Sequence, residues 1–117
     1  MTILVAVSDT PEGRAALAQA VAEAKMLDTD LVAMNLGLRP LVVARYKEAV
    51  AITVVDRHGR GDRDPADAVL DEVQERGIER LVIGMKRRSP VGKAILGSLS
   101  QRLLLNCPVP VLAVKVD

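Results

Sequence analysis

Residues 3–36, ILVAVSDTPEGRAALAQAVAEAKMLDTDLVAMNL, contain two continuous apolar runs separated by an alanine-rich segment. The runs at 3–7 and 31–36 do not alternate polar with apolar residues, which is typical of strands buried on both faces of a parallel sheet. Between them, Thr10 followed by Pro11 indicates a helix N-cap with proline at the first helical position. Apolar residues then recur on one helical face: Leu17, Ala20, Val21, Ala24 and Leu27. The stretch therefore predicts a strand, a helix and a second, parallel strand.

The rest of the chain repeats this alternation. Three more apolar runs predict strands at 51–55, 81–85 and 109–116. Asp64 and Pro65 repeat the helix-start signal, and Gly77 is placed to end that helix. Ser98 is predicted to open the last helix, with Gln101 completing a capping box. With right-handed crossovers, this order predicts an α/β fold: an open five-stranded parallel sheet with helices on both faces, a three-layer α/β/α sandwich. A short helix within 39–50 is a further expectation.

Composition restricts the class of protein. A chain of 117 residues fits one domain, 1–117, and its net charge of +1 creates no overall field that would recruit nucleic acid or anionic lipid. Tyr46 is the only aromatic residue, so single-stranded nucleic acid has no stacking platform. Cys107 is the only cysteine, which excludes an intramolecular disulfide, and we expect an inert thiol there. No apolar run is long enough to span a membrane, and we expect a cytoplasmic protein.

The segment GMKRRSPVGKAILGS, residues 84–98, has the clearest chemical character. It concentrates four cationic side chains in the predicted loop after the fourth strand: Lys86, Arg87, Arg88 and Lys93. A helix that begins at Ser98 presents free N–H groups, and Gly97 has no Cβ to obstruct an approaching anion. Gly84, at the end of the fourth strand, would let a ligand lie against the backbone. The pattern predicts an anion clamp, and its alternatives are an ordinary turn with an N-cap and a solvated charged loop.

Signals for catalysis and metal binding are absent from the sequence. His58 has no histidine or cysteine partner at ligand spacing, so we expect no metal site. It lies in residues 57–64, RHGRGDRD, which read as a polar linker. Ser89 and Ser98 have no histidine in a plausible register, so no nucleophile–base pair is predicted. We expect a binding module and not an enzyme, with slow hydrolysis of its ligand as the most that it would catalyse.

Residues 81–117 resemble the C-terminal half of the universal stress protein family. The signature of that family between the fourth strand and the last helix is Gly-x2-Gly-x9-Gly-Ser/Thr. Its four positions are occupied here by Gly84, Arg87, Gly97 and Ser98. The ending CPVPVLAV, residues 107–114, and the opening strand with its alanine-rich helix extend the resemblance over the whole chain.

The resemblance implies the strand order 3-2-1-4-5, homodimers paired through the last strand, and, in one branch of the family, ATP binding. The implied ligand is ATP, or else AMP or ADP, with or without Mg²⁺. Matched position by position, the resemblance implies that Gly84, Gly97 and Ser98 contact the phosphate and ribose. Leu99 and Ser100 would add backbone or hydroxyl contacts, and Leu36 and Ile83 would contact the adenine.

Two positions depart from the family pattern. Arg87 replaces the second glycine, so the backbone cannot approach phosphate there as closely. Ser8 stands in the register of an acidic residue that contacts adenine, and Asp9, one place later, is the candidate to take over that contact. The cations Lys86, Arg87 and Arg88 would offset a lost backbone contact, since each charge pair is worth about 1–4 kcal/mol at ~4 Å.

Two other functions remain open at this point. One is a family member that binds no nucleotide and acts through protein contacts, which Arg87 and Ser8 favour. The other is a phosphoacceptor receiver domain, with Asp56 as phosphosite and Lys115 as the late lysine. A receiver needs an acidic cluster after the first strand to hold Mg²⁺, and only Asp9 is available there. For the homodimer, the apolar strand at 109–116 would lie at a sheet edge, where it can pair with a second copy.

Overall fold

The structure, a computed structural model, describes residues 1–56, 64–88, 93–95 and 97–116, with the side chains of 87, 88 and 93–95 left undescribed. Its strands are β1 (Thr2–Val7), β2 (Asp30–Asn35), β3 (Ile52–Asp56), β4 (Arg80–Arg88), β5 (Lys93–Ile95) and β6 (Val111–Val116). Its α-helices are α1 (Pro11–Met26), α2 (Pro65–Glu75) and α3 (Ser98–Asn106), with a 3₁₀ helix at Ala44–Tyr46.

The predicted sheet is confirmed. Five parallel strands lie in the order β3-β2-β1-β4-β6, which is the 3-2-1-4-5 order once the fifth predicted strand is numbered β6. β1 is central, and Ile3, Leu4 and Val5 are fully buried. The continuous apolar runs of the sequence thus correspond to strands covered on both faces.

β5 was not predicted, and it changes the picture of the cationic segment. β4 continues through Lys86 to Arg88 and pairs antiparallel with Lys93–Ile95, so this part is a β-hairpin and not a loop. Lys86 pairs with Val116 on one side and with Ile95 on the other. The charged residues Lys86, Arg87 and Arg88 therefore belong to a strand whose backbone is paired, which the sequence pattern alone did not indicate.

All three α-helices begin at the predicted residues, and two of them have the predicted side-chain cap. Thr10 Oγ1 accepts a hydrogen bond from the N–H of Gly13 at 3.0 Å, and Asp64 accepts one from Ala66 at 2.9 Å. Gly77, just after α2, has a φ of 61°, the left-handed conformation that favours glycine. The predicted capping box at Ser98 is wrong. Gly97 is the N-cap of α3, without a side-chain capping bond, and its carbonyl accepts from the N–H of Gln101.

The core has two halves separated by the sheet. On one face, the predicted stripe of α1 packs against β1 and β2, with Leu27 partly buried at its end. On the other face, Val69 and Val73 of α2 and Leu103 of α3 pack against the sheet. The expected helix within 39–50 is only the 3₁₀ turn at Ala44–Tyr46, and Val43 and Val50 on either side of it are buried in the α1 half of the core.

Several expectations fall outside the described residues. They concern His58 and most of the predicted linker at 57–64, together with Ser89. Cys107 is partly buried against the α2–α3 half of the core. Among the described helices, none has the length and apolar character needed to cross a membrane.

Candidate functional site

The candidate site is a cleft at the point where the strand order reverses. From β1 the chain crosses to β2 on one side, whereas β4 lies on the other, and ligands of open α/β sheets bind at such a switch point. We call it the β1–β4 cleft. It has a volume of about 270 Å³. Its lining residues are Ser8, Thr10, Glu12, Gly84, Met85, Lys86, Gly97 and Ser100.

An apolar recess adjoins this cleft and shares Ser8, Gly84 and Ser100 with it. The remaining walls are apolar: Ala6, Leu36, Ile83, Leu99 and Leu103. The recess therefore contains the residues that the sequence analysis assigned to the adenine, directly beside those assigned to phosphate and ribose. Its volume is only about 30 Å³, which is smaller than a purine ring.

Gly84 has a structural reason for being glycine that differs from the predicted one. A Cβ at this position would lie 2.1 Å from the carbonyl oxygen of Glu12 and 2.6 Å from its carbonyl carbon. The first turn of α1 therefore rests directly on β4. The close approach that Gly84 permits is used by the protein's own helix, and the residue forms the floor of the cleft between that turn and α3.

Gly97 leaves open space at the start of α3. No atom of the described residues lies within 4 Å of the place a Cβ would occupy, and Gly97 is exposed. One turn further along, Ser100 Oγ donates a hydrogen bond to the carbonyl of Gly84 at 3.4 Å, which directs this hydroxyl to the cleft. Ser98 is exposed and does not belong to the lining described above. The free N–H groups of a helix N-terminus favour an anion at this end.

The charges described in the cleft are one lysine and one carboxylate. Lys86 is exposed at its mouth, and Glu12 lies in the first turn of α1. The pKa of Glu12 is below its usual value because its own backbone N–H, the Thr10 hydroxyl and the positive charges of Lys86 and Arg14 stabilise the carboxylate. The Glu12 carboxylate therefore places a negative charge in the cleft, which was not predicted from the sequence. The signal was available, since acidic residues are favoured in the first turn after an N-cap.

Ser8 and Asp9, the two residues that follow β1, contact different parts of the molecule. Ser8 lines the β1–β4 cleft, and its hydroxyl lies 2.7 Å from that of Thr10. Asp9 does not line this cleft; its carboxylate instead accepts three hydrogen bonds from the guanidinium of Arg39, at 2.8, 3.0 and 3.2 Å. If Asp9 made the adenine contact of the family's acidic residue, as predicted, its ion pair with Arg39 would have to open. The side chains of Arg87 and Arg88 lie outside what the structure describes.

Metal ligands do not converge in the described part of the chain, where no group of three or more His, Cys, Asp or Glu side chains could hold an ion. The described lining can offer hydroxyl groups, one ammonium group, one carboxylate, a helix N-terminus and an apolar recess. These groups can recognise a ligand through hydrogen bonds, charge and apolar contact.

Comparison with known proteins agrees with this architecture. A model of the universal stress protein family matches residues 38–115. A universal stress protein of Mycolicibacterium smegmatis is 38% identical over 97% of this chain and 96% of its own length. The structure of a universal stress protein from Archaeoglobus fulgidus superposes with a TM-score of 0.70 at 24% identity, covering 98% of each chain.

Two other similar structures contain nucleotides. The universal stress protein from Archaeoglobus fulgidus in complex with dAMP gives a TM-score of 0.69 at 20% identity, covering 98% of each chain. A universal stress protein in complex with cAMP gives 0.67 at 17% identity, covering 97% of this chain and 95% of the other. The sequence matches, together with the order of the strands, show that this chain belongs to the universal stress protein family.

Proposed function

We propose that the protein binds an adenine nucleotide in the β1–β4 cleft and acts as a non-enzymatic signalling module in the cytoplasm. The supporting observation is that Ser8, Gly84, Gly97 and Ser100 line one cleft at the switch point of the sheet. The similar structures with dAMP and cAMP support the same class of ligand. A single cysteine is compatible with a reducing compartment.

The two parts of the cleft suit the two parts of such a ligand. Leu36, Ile83 and Leu99 offer apolar contacts to a base, and the open backbone at Gly97 with the N-terminus of α3 offers a place for phosphate. Lys86 adds a positive charge on the phosphate side, whereas Glu12 adds a negative one. The number of phosphates that the site accepts therefore depends on the balance between these two residues.

The proposed role is binding without turnover. Of the described residues that line the cleft, Ser8, Thr10 and Ser100 carry hydroxyl groups, and none is a histidine that could act as a base. Glu12 is the single carboxylate there, which is too few ligands for a protein-held Mg²⁺. Any Mg²⁺ would arrive with the nucleotide phosphates.

Thermal denaturation with AMP, ADP and ATP tests the nucleotide proposal. A ligand at a hundredfold excess over its Kd stabilises the native state by about 2.7 kcal/mol, so the melting temperature should rise clearly. We expect Lys86→Met to weaken ATP binding by about tenfold, because a phosphate loses its nearest described cation. Glu12→Gln should have the opposite effect and tighten ATP binding more than AMP binding.

Lys25→Met serves as the matched control, since Lys25 is an exposed lysine in the last turn of α1, at the far end of that helix. It should leave nucleotide affinity unchanged. If none of the three nucleotides at millimolar concentration changes the melting temperature, the proposal is wrong. The alternative function, protein contacts without a nucleotide, would then be favoured.

We also propose a homodimer paired through β6. In the described sheet β6 is paired on one side only, and five of its six residues are only partly buried although apolar: Val111, Leu112, Ala113, Val114 and Val116. An apolar edge strand of this kind tends to pair with another chain. β3 is the opposite edge, but it carries the exposed residues Thr53 and Asp56.

Light scattering after size-exclusion chromatography tests the dimer. Val114→Asp and Val111→Lys should each give a folded monomer, because a charge on the paired edge would be left without water or a partner. Thr53→Asp is the control at the opposite edge and should remain a dimer. A monomeric wild-type protein, or dimers in all three variants, would contradict pairing through β6.

A further inference from the structure

A second cleft, with a volume of about 410 Å³, opens on the other face of the sheet. It lies between α1 and the segment that follows β2, and we call it the α1-side cleft. It exists because the crossover from β2 to β3 contains only the 3₁₀ turn at Ala44–Tyr46, where a full helix would cover the sheet. Its volume falls within the range of about 300–1,000 Å³ that is typical of small-molecule sites.

Positive charge dominates the lining of this cleft. Three guanidinium groups, those of Arg14, Arg39 and Arg45, line it together with one carboxylate, that of Asp9. Asp9 lies 2.8 Å from Arg39 and 3.6 Å from Arg14, so it shares its single charge between two arginines. Arg45 pairs with no carboxylate in the part of the chain that the structure describes. The cleft is therefore short of negative charge.

Hydrogen bonds of Asn35 fix the backbone turn that carries Arg39, the arginine that faces Asp9. Asn35, at the end of β2, is buried, and its amide nitrogen donates to the backbone carbonyl of Arg39 at 2.8 Å and to Asp56 at 3.0 Å. The amide oxygen of Asn35 accepts from the N–H of Gly37 at 3.0 Å. These bonds fix the turn that carries Arg39, so its guanidinium is presented to the cleft by an ordered backbone.

The inner part of the cleft is apolar. Val7 of β1 and Leu17 of α1 are buried at its base, and Leu41 and Tyr46 are partly buried beside them. The guanidinium carbon of Arg45 lies 5.2 Å from the centre of the Tyr46 ring. The face of the ring attracts this guanidinium, so an apolar surface and a positive charge lie side by side in the cleft.

We propose that the α1-side cleft binds a small organic anion: a carboxylate or phosphate group carried on an apolar or aromatic body. The anionic group would compete with Asp9 for Arg39 and Arg14, and the apolar body would cover Leu17 and Tyr46. A guanidinium group binds carboxylates and phosphates through paired hydrogen bonds, so either anion suits the site. The apolar recess of the β1–β4 cleft belongs to the opposite face of the sheet, and Ser8 is the one lining residue that both clefts share.

The test is a titration of the ¹⁵N-labelled protein with phenyl phosphate and, separately, with benzoate, followed by NMR. We expect amide shifts in the segment 37–46 with millimolar affinity for at least one of the two, and the comparison shows which anionic group is preferred. Arg39→Gln should weaken binding at least fivefold. Asp9→Asn should tighten it about fivefold, because Arg39 and Arg14 then lose the carboxylate with which the ligand competes.

Two controls make the result specific. Arg102→Gln removes an exposed arginine from α3, where it pairs with Asp64 and Asp67, and should not change the affinity. Benzyl alcohol, which has the ring without the charge, should bind at least tenfold more weakly. The proposal is overturned if neither anion binds at about 10 mM, if the shifts fall at Gly97–Ser100 instead, or if Arg39→Gln and Asp9→Asn leave the affinity unchanged.

Discussion

Replacing Gly84 by alanine is expected to lower the free energy of unfolding by about 3 kcal/mol, at the upper end of the usual cost of overpacking. The new Cβ would lie 2.1 Å from the carbonyl oxygen of Glu12, a backbone atom in the first turn of α1. No flexible side chain can move away to relieve this contact. The helix must therefore shift from the sheet or lose its first turn, which Thr10 caps. Urea unfolding followed by circular dichroism measures the change.

Gly97→Ala is the matched control, since it adds the same methyl group to another glycine of the same cleft. Its Cβ would meet no atom of the described part of the chain within 4 Å, and its φ of −65° suits any residue. We expect a change in unfolding free energy within about 0.5 kcal/mol. Equal effects of the two substitutions would show that the contact between β4 and α1 does not decide the choice of glycine at position 84.

The second large effect is expected for Leu103→Ala. Leu103 is the one buried residue among the described residues of α3, with a relative exposure of 1%. Truncation of a buried leucine costs about 2–5 kcal/mol, because apolar contacts are lost and a cavity is left. The ion pairs of Arg102 with Asp64 and Asp67 are exposed and cannot compensate, since such pairs are worth about 0–1 kcal/mol.

Leu105→Ala provides the comparison within the same helix, because Leu105 is 76% exposed. It should change the free energy of unfolding by less than about 0.5 kcal/mol. Because Gly97 and Ser100 lie in the first turns of α3, Leu103→Ala should also weaken nucleotide binding, whereas Leu105→Ala should not. A Leu103→Ala variant as stable as wild type would mean that α3 is held to the core by other contacts.

The sheet and its helices could be predicted because their signals are local. The continuous apolar runs marked the strands, and Thr10-Pro11 and Asp64-Pro65 marked the two capped helix starts. Each signal depends on neighbours within one turn or one strand, so the sequence contains all that is needed. The strand order came from the resemblance to the family, because apolar runs alone do not determine which strands are adjacent.

Contacts between distant segments could not be predicted in the same way. Gly84 lies against the backbone carbonyl of Glu12, 72 positions earlier in the chain. This contact with α1, and not the approach of a ligand, explains why position 84 is glycine. The ion pair of Asp9 with Arg39 depends on how β1 ends and on the turn held by Asn35. The hairpin of β4 and β5 was missed because charged residues with a proline and glycine nearby favoured a loop.

The contact of α1 with β4 has a mechanical consequence. The first turn of α1 forms one wall of the β1–β4 cleft and rests directly on β4, whereas α3, the opposite wall, has Leu103 as the one buried residue among its described residues. A ligand that widens the cleft is therefore expected to displace α3. Residues 107–110 lead from the end of α3 directly into β6. Four residues thus connect occupancy of the cleft with the edge of the sheet where a second molecule would attach, so a ligand can alter assembly without refolding the domain.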